Sequence, residues 1–204
     1  MQELAPGIFH WSAFHDGIRK TVHSCFVPSA RALIDPMEPD EGLDWFSGRE
    51  TPDRILLTNR HHYRHSARFV ERFGCSVHCH SSGLHEFGDG REVEGFEFGD
   101  EVAPGITAHE VASICPEEAA LHIAAGPGAL AVADGVVRWD EGEPLGFVPD
   151  FLLGDDAEQV KDGLRAAYRR LAEEVDFELL LMAHGDPVVG GGAETLRAFA
   201  ESAS

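Results

Sequence analysis

The residues best suited to chemistry lie between positions 59 and 65, in Asn59-Arg60-His61-His62-Tyr63-Arg64-His65. Three imidazoles within five residues make this the densest cluster of nitrogen donors in the chain. Imidazoles ligate zinc or iron and act as acids or bases near neutral pH. An apolar run, Ile55-Leu56-Leu57, precedes the cluster, and a helical pattern follows it, with Phe69, Val70 and Phe73 on one side and Gly74 as the stop. Three more polar residues also close apolar runs: Asp35 after Ala32-Leu33-Ile34, Asp134 after Ala131-Val132-Ala133, and His184 after Phe177–Met182. Strand ends are where open sheets place their sites.

The elements that would position these residues are mostly strands. Residues 7–11, 21–27, 32–36 (stopped by Pro36) and the apolar run 55–57 carry strand patterns, as do 75–80, 106–111, 119–125, 129–133 and 177–182, with a weaker one at 94–98. A short helix is expected around Leu43-Asp44-Trp45-Phe46. Asp134-Gly135 reads as a tight turn, with Gly135–Arg138 as the return arm of a hairpin and 140–155 as loop. The strongest helix begins at Asp156, with Gln159 three residues on as in a capping box, and aligns Val160, Leu164, Ala167, Tyr168, Leu171 and Val175 on one face. A short helix over 193–200 closes the chain. Helices inserted between strands predict sheets packed face to face with helices outside.

The 204 residues carry no repeat and no long linker, which predicts a single domain over 1–204. The 36 acidic residues against 16 basic ones give a net charge of −20, which argues against nucleic acid or an anionic membrane as partner. No stretch approaches the ~20 apolar residues of a membrane span, and the N-terminal residues do not read as a signal peptide. Cys25, Cys75, Cys79 and Cys115 form no CxxC pair, so reduced thiols and a cytoplasmic location are expected.

Several of these features have structural explanations when taken singly. His62 and His65 read as helix-start or surface residues. Asp134-Gly135 and His184-Gly185-Asp186-Pro187 are turns. His78 and His80 alternate with Val77 and Cys79 along one strand, and ligands so placed cannot close a tetrahedral site without a second cluster. Only the order of the features along the chain points beyond these explanations.

That order resembles the metallo-β-lactamase superfamily over nearly the whole chain, from about Gly7 to Phe199. Leu4-Ala5-Pro6-Gly7-Ile8-Phe9 is similar to the family's first hairpin, and Ala32–Asp35 to its strand ending in aspartate. Ile55–Thr58 resembles the strand before the H-x-H-x-D-H motif, Ala131–Asp134 the strand ending in the bridging aspartate, and Ala183–Pro187 the late turn that supplies the last histidine. The resemblance implies an α+β fold, the αβ/βα four-layer sandwich of two mixed sheets with helices outside. It also implies hydrolysis of an ester, thioester, lactam or phosphoester by water activated on a metal.

Laid on that motif, Asn59 stands at the first histidine, His61 keeps the second, Tyr63 replaces the aspartate and Arg64 the last histidine. The middle G-H-T-P-G element falls on Ser113–Glu117 and puts Ile114 in a ligand's place. His61, Asp134 and His184 therefore remain as the ligand and catalytic set. An arginine about 4 Å from a divalent ion would be repelled by roughly 8 kcal/mol at an effective dielectric of ~20. The expectation is an eroded site without the dinuclear hydrolysis, needing no cofactor, in a protein that binds a small ligand or serves as a scaffold. Asn59, Arg60, Arg64 and His65 would contact that ligand, and Arg64 would fill the missing metal's volume and pair with Asp134. A homo-oligomer is compatible with this reading. The alternative is an active hydrolase with one zinc or iron ion on His61, Asp134 and His184, joined by His62 or His65, with Tyr63 as oxyanion donor. Metal-free catalysis by His61 or His65 as base with Tyr63 ranks last, because the chain offers no evident nucleophile beyond Thr58, Ser66 and Cys115.

Overall fold

A computed structural model describes residues 1–139 and 142–202. The first sheet has seven strands in sequence order: β1 (Gln2–Ala5), β2 (Ile8–His15), β3 (Lys20–Val27), β4 (Ala32–Ile34), β5 (Arg54–Leu56), β6 (Ser76–His80) and β7 (Glu94–Phe96). It is antiparallel from β1 to β4 and parallel from β4 to β7. The second sheet adds β8 (Glu101–Ala103), β9 (Ile106–Glu110), β10 (Ala119–Ile123), β11 (Ala129–Val132), β12 (Leu179–Met182) and β13 (Val188–Val189), in the order 13-12-11-10-9-8. Its one parallel pair is β11 with β12. The helices are α1 (Ser66–Phe73), α2 (Ala157–Glu174) and α3 (Gly192–Glu201).

Three apolar layers account for this arrangement. Alternate residues of both sheets, among them Ile8, Cys25, Ile34, Leu56, Ile106, Leu121, Ala131 and Leu181, meet in a central core. The opposite face of the first sheet packs Phe26, Leu33 and Ile55 against Phe46 and Phe69 under α1. The outer face of the second sheet packs Ala120, Leu130 and Leu180 against Leu164, Tyr168 and Leu171 of α2 and Leu196 and Phe199 of α3. Period-2 strands and period-3.6 helices thus bury one stripe each, and the result is a four-layer αβ/βα sandwich.

Local signals hold where the chemistry is strong. Asp156 accepts a hydrogen bond from the Gln159 N–H and starts α2. Gly74, at φ 72°, ends α1 with its N–H on the Val70 carbonyl. Residues 43–46 form a 3-10 turn. Three expectations differ. Val70 is exposed rather than packed with Phe69. Gly135–Arg138 is not a return arm, since both neighbours of β11 are other strands, and Val137 makes one bridge to Gly146 instead. The 140–155 stretch, beyond Asp140 and Glu141, which fall outside the described residues, contains a 3-10 turn at Asp150–Leu152. Among the described residues, no helix is long and apolar enough to cross a membrane.

Candidate metal centre

The site forms where the ends of β4 and β5 face the ends of β11 and β12. Asp35 leaves β4 with φ 46°, in the left-handed region that few side chains favour, which marks it as a held position. Its carboxylate explains the strain. Oδ1 accepts the Thr58 N–H at 2.9 Å, and Oδ2 accepts the Thr58 hydroxyl at 2.5 Å and His62 Nδ1 at 2.9 Å. The Asn59 side-chain oxygen accepts the His61 N–H at 2.8 Å and starts a 3-10 turn over Arg60–Tyr63. These bonds decide which imidazole turns inward. His62 is buried, and His61 is exposed on a cleft wall.

The His62 ring spans the gap between the sheets. Its Nε2 lies 3.2 Å from Asp134 Oδ1, and His184 Nε2 lies 3.0 Å from the same oxygen. Asp134 and His184 follow the adjacent parallel strands β11 and β12, whose register pairs Val132 with Met182, so the fold delivers them side by side. Asn59 Nδ2 donates to Asp134 Oδ2 at 2.9 Å, which leaves Oδ1 to the two imidazoles. Burial pulls the His62 pKa down, but Asp35 and Asp134 outweigh it and push it up to about 9. Burial raises the Asp134 carboxyl, yet His62 and His184 hold it well below the usual range. His184 is lowered, chiefly by burial.

Arg64 lies beside this group and does not bond to Asp134. Its Nη1 donates to the carbonyls of His23 at 2.7 Å and Asp35 at 2.8 Å, and its Nη2 to that of Ala183 at 3.4 Å. The expected Arg64–Asp134 hydrogen bond is therefore replaced by a bridge from the first sheet to the second, beside the His23 N–H on the same Ala183 carbonyl at 3.0 Å. With His62 protonated, Arg64 and His62 balance Asp35 and Asp134.

The remaining expected residues divide into two groups. Asn59 and Arg60 border the cleft with His61, and Arg60 is held by Glu117 and Glu86. Ile114 lines the same cleft. Tyr63 instead packs against Phe87 and Arg91, and His65 Nδ1 accepts the Glu38 N–H at 3.1 Å. Neither joins the His62–Asp134–His184 group. His62 had only the signal of following Thr58 by four residues, and the Asp35 contact that seats it comes from 27 residues away.

The donor set fits one metal ion. One ligand atom each from His62, Asp134 and His184 lie within 4.8 Å of one another. Two ligand atoms ~2.0 Å from a tetrahedral zinc lie about 3.3 Å apart, close to the 3.2 and 3.0 Å spacings here. Two imidazoles and one carboxylate suit zinc or iron, and the Asp35 carboxylate on His62 Nδ1 is the usual backing of a metal-bound imidazole. Of the other residues at the motif positions, Asn59 and Ile114 line the cleft as a poor donor and a non-donor, and Tyr63 packs against Phe87. A cleft of about 740 Å³ opens over Asp134 and His184, with Trp139, Phe151, Leu152 and Ile18 on its walls.

No family model and no curated protein matches the sequence. Solved structures do match in shape. A metallo-β-lactamase from Erythrobacter litoralis with β-mercaptoethanol in its active site is 16% identical, with a TM-score of 0.67 over 98% of this chain and 95% of that one. An archaeal metallo-β-lactamase superfamily protein from Sulfolobus tokodaii is 13% identical, with a TM-score of 0.66 over 96% and 85%. A B3 metallo-β-lactamase with an active-site glutamic acid is 14% identical, with a TM-score of 0.65 over 97% and 84%. Two sheets in this order with helices outside, strand ends that deliver Asp134 and His184, and these likenesses lead to one conclusion: the chain has the metallo-β-lactamase fold.

Proposed function

We propose that the protein holds one zinc or iron ion on His62, Asp134 and His184 and hydrolyses a small ester, thioester, lactam or phosphoester in the adjoining cleft. The observation that carries this reading is the convergence of His62 Nε2 and His184 Nε2 on one oxygen of Asp134, with Asp35 behind His62. When bound, such an ion lowers the pKa of a water ligand toward ~7 and polarises an acyl or phosphoryl oxygen. The chain's own groups supply the rest. His62 must release its Nε2 proton to act as a ligand, while its Nδ1–H stays on Asp35. Asn59 orients Asp134 through Oδ2. The apolar walls of the cleft, themselves exposed, would exclude bulk water once a substrate covers them.

A second reading keeps the site as a ligand-binding pocket without hydrolysis. It is favoured by the contacts of Asn59, His62 and His184, which satisfy Asp134 with no ion. Metal analysis after loading with zinc and with iron separates the two. The proposal expects close to one ion per chain. His62→Ala should weaken binding at least ~100-fold, the range seen on loss of a good ligand or its backing, and His61→Ala less than about 3-fold. No metal after loading would leave only the ligand-binding reading. Two ions per chain, or equal effects of the two substitutions, would overturn the single-ion site.

A further inference from the structure

Two cations line the cleft, and they are not equivalent. Arg60 is neutralised by Glu117 and Glu86. Lys20, exposed at the start of β3, has no carboxylate partner among the described residues. Its Nζ lies 4.9 Å from the centre of the Trp139 ring, and that ring lies 5.7 Å from the His184 imidazole. One indole therefore separates an ammonium with no carboxylate partner among the described residues from the candidate metal centre.

The walls around this line are apolar and unusually uncovered. Phe151 is 82% exposed, Leu152 and Ile18 are 52% exposed, and Trp139 is 38% exposed. A large apolar side chain left in water gives up favourable burial, and four of them here border one cleft. In a chain of net charge −20, a lysine at such a cleft with no carboxylate partner among the described residues stands out against its surroundings.

We propose that the cleft selects a monoanionic amphipathic substrate: an aryl or short alkyl body against Trp139, Phe151, Leu152 and Ile18, with a carboxylate on Lys20. The bond to be cleaved lies beside His184. This rests on the reading of the cleft as a substrate site. Trp139 has two roles in it, as a flat wall for the apolar body and as a π face that holds the Lys20 ammonium at a fixed distance from the centre. The general acidity of the chain works in the same direction, because it repels anions that lack an apolar body to compensate.

The test is calorimetric binding of 4-phenylbutyrate and of its neutral isostere 4-phenylbutanamide, with protein as purified and with protein stripped of metal, the metal content being measured on each sample. The acid should bind at least 10-fold tighter than the amide in both samples. Lys20→Met, an exposed substitution that keeps the length of the chain, should bring the two within 2-fold of each other without changing the amide. Equal binding of acid and amide to the unmodified protein, or no binding of either, overturns the proposal. A preference that survives Lys20→Met but disappears with the metal also overturns it, since the anion then sits on the ion, and that outcome leaves the single-ion reading intact. A Lys20-dependent preference in a protein that takes up no metal has the opposite meaning: the hydrolase reading fails and the anion site stands.

Discussion

Glu118 lies directly behind Asp134, fully buried, with Oε1 accepting the Gly135 N–H at 2.9 Å. Burial and then the charge of Asp134 push its carboxyl up from 4.5 to about 8. Between those pH values the folded chain keeps the proton and the unfolded chain has lost it, so folding takes up a proton. Stability must then fall as pH rises through this window, by up to ~1.4 kcal/mol per pH unit, and stay flat in this respect below 4.5 and above about 8. The full span corresponds to roughly 5 kcal/mol. Glu118→Gln keeps the oxygen that Gly135 uses and cannot ionise. Urea denaturation of both proteins in chelator, from pH 5 to 9, isolates the contribution as the difference between the two curves. The substituted protein should gain on the original steadily up to pH 8, by several kcal/mol in all, with little difference near pH 5. A pH-independent difference would refute the reasoning, and so would a difference that grows toward acid, because either would mean that Glu118 is ionised in the folded state.

Two other substitutions test the frame of the site. Arg64→Met should cost at least ~3 kcal/mol in urea denaturation, since it removes three charge-assisted hydrogen bonds to main-chain carbonyls and leaves the carboxylates short of a cation, and Arg64→Lys should restore only part because a lysine lacks the fork. A loss below 1 kcal/mol would show that the bridge between the sheets is idle. Gly185 has φ 134°, and a Cβ there would lie 2.6 Å from the Arg138 carbonyl oxygen and 2.8 Å from its nitrogen. Gly185→Ala should therefore destabilise by about 2–4 kcal/mol and lower metal affinity by moving His184; unchanged melting and metal uptake would contradict this.

Most of the fold was legible because its central strands are buried on both faces. Ala129–Val132 and Leu179–Met182 read as uninterrupted apolar runs, as strands between two layers must. The strands that escaped were Glu101–Ala103 and Val188–Val189, with Gln2–Ala5 legible only through its likeness to a first hairpin. All three are sheet edges, two to four residues long and partly exposed, with too little apolar surface to register a pattern. Asp134 and His184 were legible for the reason their strands were. His62 was not. Which imidazole of a His-His pair turns inward depends on the Asn59 cap and the Asp35 carboxylate, and a motif laid along the chain selects His61 instead. Arg64 was placed at the site by the same alignment, but its partners are main-chain carbonyls, to which a sequence pattern gives no clue.

The Arg64 bridge has a consequence for when the protein can be made. A domain held together by its ion cannot mature before the ion arrives, and it falls apart when supply fails. Here the joint between the two sheets is closed by a positive charge that is part of the chain and cannot diffuse away. On the single-ion reading proposed above, folding is thereby separated from loading: the sheets close on the chain's own charge, and an ion would be added to a scaffold that already stands.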